Sequence, residues 1–181
     1  MSEPLTRDEE RTSLKLARQA LEHYFRTGDL FPSPVASGIL KERRGAFVTL
    51  TVDGELRGCI GYPLPEKPLD ETIIEMAVAA ATQDTRFEPL AANELKKIKI
   101  DISVLGLPEP IEDPAEVQVG RHGIIVSKGF RRGLLLPQVP AEHGWDRETY
   151  LDHGCLKAGL PRDAWKKGAK IEVFTAQVFS E

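Results

Sequence analysis

Cysteine is scarce in this chain of 181 residues, occurring only as Cys59 and Cys155. Two thiols are too few for a disulfide framework or a four-thiolate zinc site. Reduced thiols in a cytoplasmic protein are the simplest expectation. Long apolar runs are missing as well. The longest, "MAVAAA" at Met76 to Ala81, is far too short to span a bilayer. The first residues, "MSEPLTRDEERT", are polar and charged, so no secretory leader is expected. There is no excess of basic charge: 24 Lys and Arg stand against 28 Asp and Glu, a formal net charge of -4. A general nucleic-acid binder would be basic, so that class is not expected. The chain also lacks a Gly-rich phosphate loop, "GxSxG", "HExxH" and "CxxC", which removes the commonest signatures of nucleotide, hydrolase, zinc-protease and redox-motif chemistry. No repeat or low-complexity tail is present.

What remains is an ordinary globular composition, 41% hydrophobic and 29% charged. The length suits one domain or two small packed subdomains. Thr6 and Glu9 have capping-box spacing and open a helix that Gly28 stops. Its apolar face is Ala17, Ala20, Leu21, Tyr24 and Phe25. "FPSPVASG" reads as a loop. "GAFVTLTVDGELRGCIGY" reads as a hairpin turning on Asp53-Gly54. A regular register would pair Val52 with Glu55, Leu50 with Arg57 and Val48 with Cys59. Arg57, Cys59, Val48 and Leu50 would then share one face, and Phe47, Ile60, Thr51 and Leu56 the other. Both faces would be substantially apolar and covered.

A helix is expected from an Asp70 N-cap to about Gln83, burying Ile73, Ile74, Ala77, Val78 and Ala81. "DTRFEPLAANE" is a turn with one helical turn after it. "KIKIDISVLG" alternates as a strand with Ile98, Ile100, Ile102 and Val104 inward. Prolines 108, 110 and 114 mark a long loop. "GIIVSKGFRRGLLL" is a second hairpin turning on Lys128-Gly129, and "PQVPAEHGW" is another loop. A helix follows from Asp146 to Ala158, ended by Gly159 and Pro161, and "AKIEVFTAQVF" is a final strand. Tight hairpins mixed with helices predict an α+β fold with mainly antiparallel sheets and flanking helices.

Chemistry concentrates at "LRGCIG", Leu56 to Gly61. In a regular strand Arg57 is the same-face neighbour of Cys59, and a nearby cation favours the thiolate. Gly58 and Gly61 let a ligand or another backbone come close. The competing reading of Cys59 is a small buried hydrophobe. His122, before a strand, and His143, in a loop, are candidate bases at a cleft rim, while His23 belongs to a helix surface. His153 and Cys155 lie two apart on a helix and do not share a face. They make a poor metal site, and Cys155 reads as core. No metal site is expected. Asp84 and Arg86 form an Asp-x-Arg pair in a turn, suited to fastening backbone or to offering an acid and a cation. Arg121, Lys128, Arg131 and Arg132 make the second hairpin basic, a solvated face or a site for a small anionic ligand.

Three blocks carry a resemblance: "LRGCIG", then "AVAAATQDTRFEPL" at Ala77 to Leu90, then "HGIIVSKGFRRGLLLPQVPAEHGWD" at His122 to Asp146. They are similar to the AMMECR family, whose microbial members are called AmmeMemoRadiSam system protein A. "CLKAGLP-DAW", Cys155 to Trp165, resembles archaeal members. The resemblance implies a single AMMECR-type domain over residues 1–181, built as two intertwined subdomains around a cleft with "LRGCIG" beside it. It implies a functional role for Arg57, Gly58, Cys59 and Gly61, with Asp84, Arg86 and Phe87 matching the family's Asp-x-Arg-Phe turn. It also implies Memo-like and radical-SAM proteins as partners, and it names no cofactor or reaction. Two readings stay open. One is a cysteine-dependent enzyme or catalytic partner using Cys59 and Arg57 with His122 or His143. The other is a scaffold binding a small molecule or protein on the same surface, through Gly58, Gly61, Asp84 and Arg86.

Overall fold

The computed structural model describes residues 3–181; Met1 and Ser2, part of the stretch expected to carry no leader, lie outside the described residues. The chain divides into two compact units, one of Glu3–Leu105 with Gln177–Glu181 and one of Gly106–Ala176. The fold is α+β, as expected.

The first unit opens with α1 (Arg7–Thr27), whose Thr6–Glu9 capping box forms and whose chain leaves through Gly28 at φ 82°. Strands β1 (Ala46–Val52) and β2 (Glu55–Tyr62), helix α2 (Leu69–Thr82) and strand β3 (Ile98–Leu105) follow. Leu16, Ala17, Ala20 and Leu21 of α1 pack with Ile73, Ile74 and Ala77 of α2 and with the inward row of β3, Ile98, Ile100, Ile102 and Val104. Here the apolar spacing of three separate segments finds one core.

Helix α2 departs from expectation at its start. Pro68 stands at the cap position and Asp70 lies inside the first turn. Asp70 is fully buried; its carboxylate accepts hydrogen bonds from Lys41 Nζ at 2.7 Å and from the Ser33 hydroxyl. A buried carboxylate requires such partners, so tertiary contacts claim the side chain that sequence rules would give to capping. The turn after α2 does carry one helical turn, at Ala92–Glu94.

The second unit holds β4 (Glu109–Ile111), β5 (Gly123–Lys128), β6 (Arg131–Leu135), α3 (Val139–His143), α4 (Arg147–Lys157) and β7 (Lys170–Phe174). Its antiparallel sheet runs β4-β7-β5-β6. Asp146 caps α4 by accepting from the Thr149 N–H at 2.8 Å. Tyr150, Leu151 and Cys155 of that helix pack on Ile124 and Val126.

Three expectations change in this unit. The proline-marked loop contains strand β4, which tolerates Pro110 because it lies at the sheet edge. The second loop contains α3, ended by Gly144 at φ 65°. The hairpin turns on Gly129-Phe130, since Lys128 pairs with Arg131. Gly129, at φ 62°, takes the first turn position, where a type II′ turn needs positive φ.

The last expected strand is two. After β7 the chain passes Thr175 and returns as β8 (Ala176–Ser180) to the first sheet, whose order is β2-β1-β3-β8. Alternation in sequence reports two strand-like runs equally well whether or not they share a sheet. Among the described residues no helix is long and apolar enough to cross a membrane.

Candidate functional site

The first hairpin places the site, and its register differs from the regular one. Val52 pairs with Glu55, as expected, and Thr51 with Leu56. The register then slips, so that Leu50 opposes Gly58, Thr49 opposes Cys59 and Val48 opposes Ile60. Arg57 is the extra residue of a β-bulge, a device that re-aims side chains where it occurs. The expected pairs Leu50–Arg57 and Val48–Cys59 do not form. The cause lies in the packing of α2: a Cβ at Gly58 would overlap the Ala80 carbonyl. Only glycine fits between that helix and the sheet, and the bulge brings Gly58 to the inward row.

Opposed residues share a face, so Gly58 and Ile60 lie with the buried Val48 and Leu50, whereas Cys59 lies with Thr49. That second face continues onto β3 through Asp101 opposite Thr49 and Ser103 opposite Phe47. It is half-buried and polar, contrary to the expected apolar cover. Gly61 lies on it, opposite Phe47, where a Cβ would overlap the Phe47 ring.

Cys59 is half-buried. Its Sγ lies 3.1 Å from Thr49 Oγ1, with the hydroxyl donating. Its backbone N–H donates to Asp84 Oδ2 at 2.9 Å. The same Asp84 oxygen accepts from a terminal nitrogen of Arg86 at 2.7 Å, while Oδ1 accepts from Arg86 Nε at 3.0 Å and from the Arg86 backbone N–H at 3.1 Å. Asp84 thus ties the turn after α2 to the cysteine strand and fixes a bidentate guanidinium there. Four hydrogen bonds converge on it. The bonds from Arg86, then that from the Cys59 N–H, hold its carboxyl well below the usual carboxylate range. The Arg86 guanidinium is raised by its bond to Asp84 and by Coulomb interactions with Asp84 and Cys59. Its side chain is 57% exposed while that of Asp84 is 5% exposed, so the carboxylate is structural and the guanidinium faces solvent.

Arg57, expected beside the thiol, is elsewhere. Its Nε and one terminal nitrogen reach the two Glu94 carboxylate oxygens at 3.0 and 3.1 Å, and its other terminal nitrogen donates to the Glu88 carbonyl at 2.9 Å. Arg57 bonding lowers the Glu94 carboxyl, with further help from the Ala91 N–H. The cation tied to the Cys59 backbone, through the shared Asp84 oxygen, is Arg86.

The two candidate bases belong to the second unit, Gly106–Ala176, and each has local partners there. His122 Nδ1 faces the Gln118 N–H at 3.2 Å, and burial, then Arg121, lowers the imidazole value. His143 is exposed and stacks on Trp145 at 4.6 Å, whose other face stacks on His153 at 3.8 Å. The cations of the basic hairpin find partners elsewhere in the second unit. Lys128 donates to the Lys167 carbonyl, Arg131 to the Gly159 carbonyl, and Arg132 lies 3.8 Å from Glu172. Cys155 is fully buried, and burial pushes its thiol up, in keeping with its reading as core. Among the described residues no group of three or more His, Cys, Asp and Glu is placed to hold a metal ion.

Sequence reasoning named Gly58, Cys59, Gly61, Asp84 and Arg86, and all five meet around one strand and one turn. It missed Thr49 and Glu94. Glu94 carried no signal, 37 residues from Arg57. Thr49 would have surfaced only if the bulge had been foreseen.

The AMMECR1 family model matches residues 14–179. Protein MK0488 of Methanopyrus kandleri is 49% identical, with 100% of this chain and 92% of that protein covered. Protein MJ0810 of Methanocaldococcus jannaschii is 45% identical, with 98% and 92% covered. The crystal structure of the uncharacterized protein PH0010 from Pyrococcus horikoshii is similar with a TM-score of 0.79 at 43% identity, covering 94% of this chain and 90% of that one. On this match across most of its length, the chain belongs to the AMMECR1 family.

Proposed function

We propose that the face carrying Cys59 is a thiol-dependent reaction site in which Cys59 is the nucleophile and Arg86 is the cation that receives an anionic group of the substrate. The observation that carries this reading is the Asp84 carboxylate, which holds the Cys59 backbone and the Arg86 guanidinium at once. A bidentate bond to a buried carboxylate fixes the guanidinium in place before any ligand arrives, the preorganisation that a binding or catalytic cation needs. Thr49 supplies a hydroxyl to the sulfur. Arg57 supports the strand through Glu94 and touches no substrate in this reading. Gly58 and Gly61 act through packing, against α2 and Phe47. The protein works in the cytoplasm, where thiols stay reduced, and its partners are the Memo-like and radical-SAM proteins that the family resemblance implies.

Selective alkylation tests the reading. Iodoacetamide at about pH 7 is expected to modify Cys59 about tenfold faster than free cysteine, since reactive thiols sit in electropositive, partly exposed surroundings. Cys155 should stay unmodified in the folded protein. Arg86→Ala should remove most of the excess rate. A Cys59 that reacts no faster than free cysteine would sink the nucleophile role. If Arg86→Ala then still weakened binding of a small anion such as phosphate, the scaffold reading would replace it.

A further inference from the structure

A two-residue turn sets its central side chains beyond the last strand pair, where the sheet offers them no cover. In the second hairpin those residues are Gly129 and Phe130, past the Lys128–Arg131 pair. Phe130 is 95% exposed, and no other large apolar side chain among the described residues exceeds 67%. Folding does not ask for this ring. Gly129 at φ 62° supplies the positive φ of the turn, and a small polar residue after it would complete the hairpin. An aromatic ring left in water contributes nothing to the core and keeps its apolar surface available for burial elsewhere.

Positive charge gathers around the ring. Lys128 and Arg131 flank the turn and are exposed. Their partners are the Lys167 and Gly159 carbonyls, which accept a hydrogen bond and leave the charge uncompensated. Arg132 and Lys170 both stand opposite Ser127, one on each neighbouring strand, so they share a face. They also share a single carboxylate, Glu172, at 3.8 and 3.2 Å. Lys167, whose carbonyl holds Lys128, pairs with Asp163 at 2.6 Å. Five cations thus meet two carboxylates at this end of the sheet, an excess of three positive charges in a chain whose net charge is -4. Such an asymmetry turns this end toward an anionic surface and the remainder away from it.

A single ring on a convex tip is not how single-stranded nucleic acid is held, which takes a basic groove and successive rings for its bases. A bilayer surface takes what the tip provides: an apolar group that enters between the headgroups, and cations on either side of it at headgroup depth. We propose that the tip Lys128–Arg132 docks this chain on membranes that carry anionic lipids, with Phe130 inserted at the interface and Lys128, Arg131, Arg132 and Lys170 against the lipid phosphates. The attachment is peripheral, since among the described residues no helix is long and apolar enough to cross a membrane. One ring and an excess of three charges make it reversible, and the charge component makes it weaken with salt. The tip lies in the second unit and draws on none of the residues assigned to the Cys59 site, so it stands independently of the thiol reading.

The test sediments the whole protein with large vesicles, made either of phosphatidylcholine alone or of equal parts phosphatidylcholine and phosphatidylglycerol. At about 0.1 M salt the protein is expected to bind the anionic vesicles at least about tenfold more strongly than the neutral ones, and about 0.5 M salt should remove most of that preference. Phe130→Ser should weaken binding about fivefold or more, and the Lys128→Gln, Arg131→Gln double variant about tenfold. Because Phe130 is exposed, Phe130→Ser should leave the denaturant midpoint unchanged, so its loss of binding is not a loss of fold. Equal binding to both vesicle types, or none to either, would overturn the proposal. Full binding by Phe130→Ser would overturn it as well, leaving only diffuse charge attraction. A labelled oligothymidylate run in parallel covers the remaining case: if it bound in a Phe130-dependent way while the vesicles did not, the tip would be a nucleic-acid contact instead.

Discussion

The two hairpins, Ala46–Tyr62 and Gly123–Leu135, use the same parts to different ends. Each turns on two residues with glycine at positive φ, Asp53-Gly54 in the first and Gly129-Phe130 in the second. Each sets a glycine against the backbone of a helix or its cap, Gly58 against Ala80 of α2 and Gly133 against Lys157 of α4 and its C-cap Ala158. The β5–β6 ladder then runs without a slip from Lys128–Arg131 to Ile124–Leu135. Its cations cap nearby carbonyls, and its tip leaves Phe130 95% exposed. The β1–β2 ladder slips once, at Arg57. That single extra residue sends Arg57 to Glu94 and puts Cys59 on the face with Thr49, beside Asp84 and Arg86. A bulge thus turns a structural hairpin into a candidate site without changing its turn, its helix contact or its core row.

The comparison is broken most severely at what the hairpins share. Gly58→Ala and Gly133→Ala each drive a methyl group into helix backbone that cannot rotate away. Each should cost about 3 kcal/mol or more, as overpacking against fixed atoms does, read by denaturant unfolding of the variants. If Gly58→Ala were tolerated, the packing account of the bulge would be wrong.

The next effect separates the two regions through pH. The folded-state value of Asp84 is depressed, so its contribution is complete above the unfolded carboxylate value and is lost as pH falls through the folded one. The stability difference between the protein and its Asp84→Asn variant should therefore be constant from about pH 8 to 5 and shrink below about pH 4, where the unfolded carboxylate takes up its proton. A difference that stayed constant into acid would show that Asp84 acts only by shape.

The smallest effect sharpens the contrast between arginines. Arg57→Ala removes a bidentate carboxylate partner and a carbonyl bond from a largely buried side chain, and should cost about 1.5 kcal/mol. Arg132→Ala on the second hairpin breaks a loose pair with Glu172 at 3.8 Å and should cost less than about 0.5 kcal/mol. Equal costs would mean that the bulge contributes no special anchoring.

Local sequence was a sound guide wherever a short-range rule decided the outcome. The Thr6–Glu9 box, the Gly28 stop, the Asp53-Gly54 turn and the inward row of β3 all form as their spacing predicts. Local rules failed where a distant partner outcompeted a near one. Asp70 gave up a cap for Lys41 and Ser33, and Arg57 left its strand neighbours for Glu94. Thr175 splits a run of strand-forming residues between two sheets.

The sequence by itself determined the fold class, the family and five of the residues that gather at the candidate site, because helix caps, turn glycines and alternation act over a few residues and the family's blocks are contiguous. Only the tertiary structure decided which arginine is tied to the cysteine strand at Cys59. Contacts between α2 and the sheet hold Gly58 inward, the register slips by one residue, and with a side-chain period of two that slip moves Cys59 to the opposite face, with Thr49 instead of Val48.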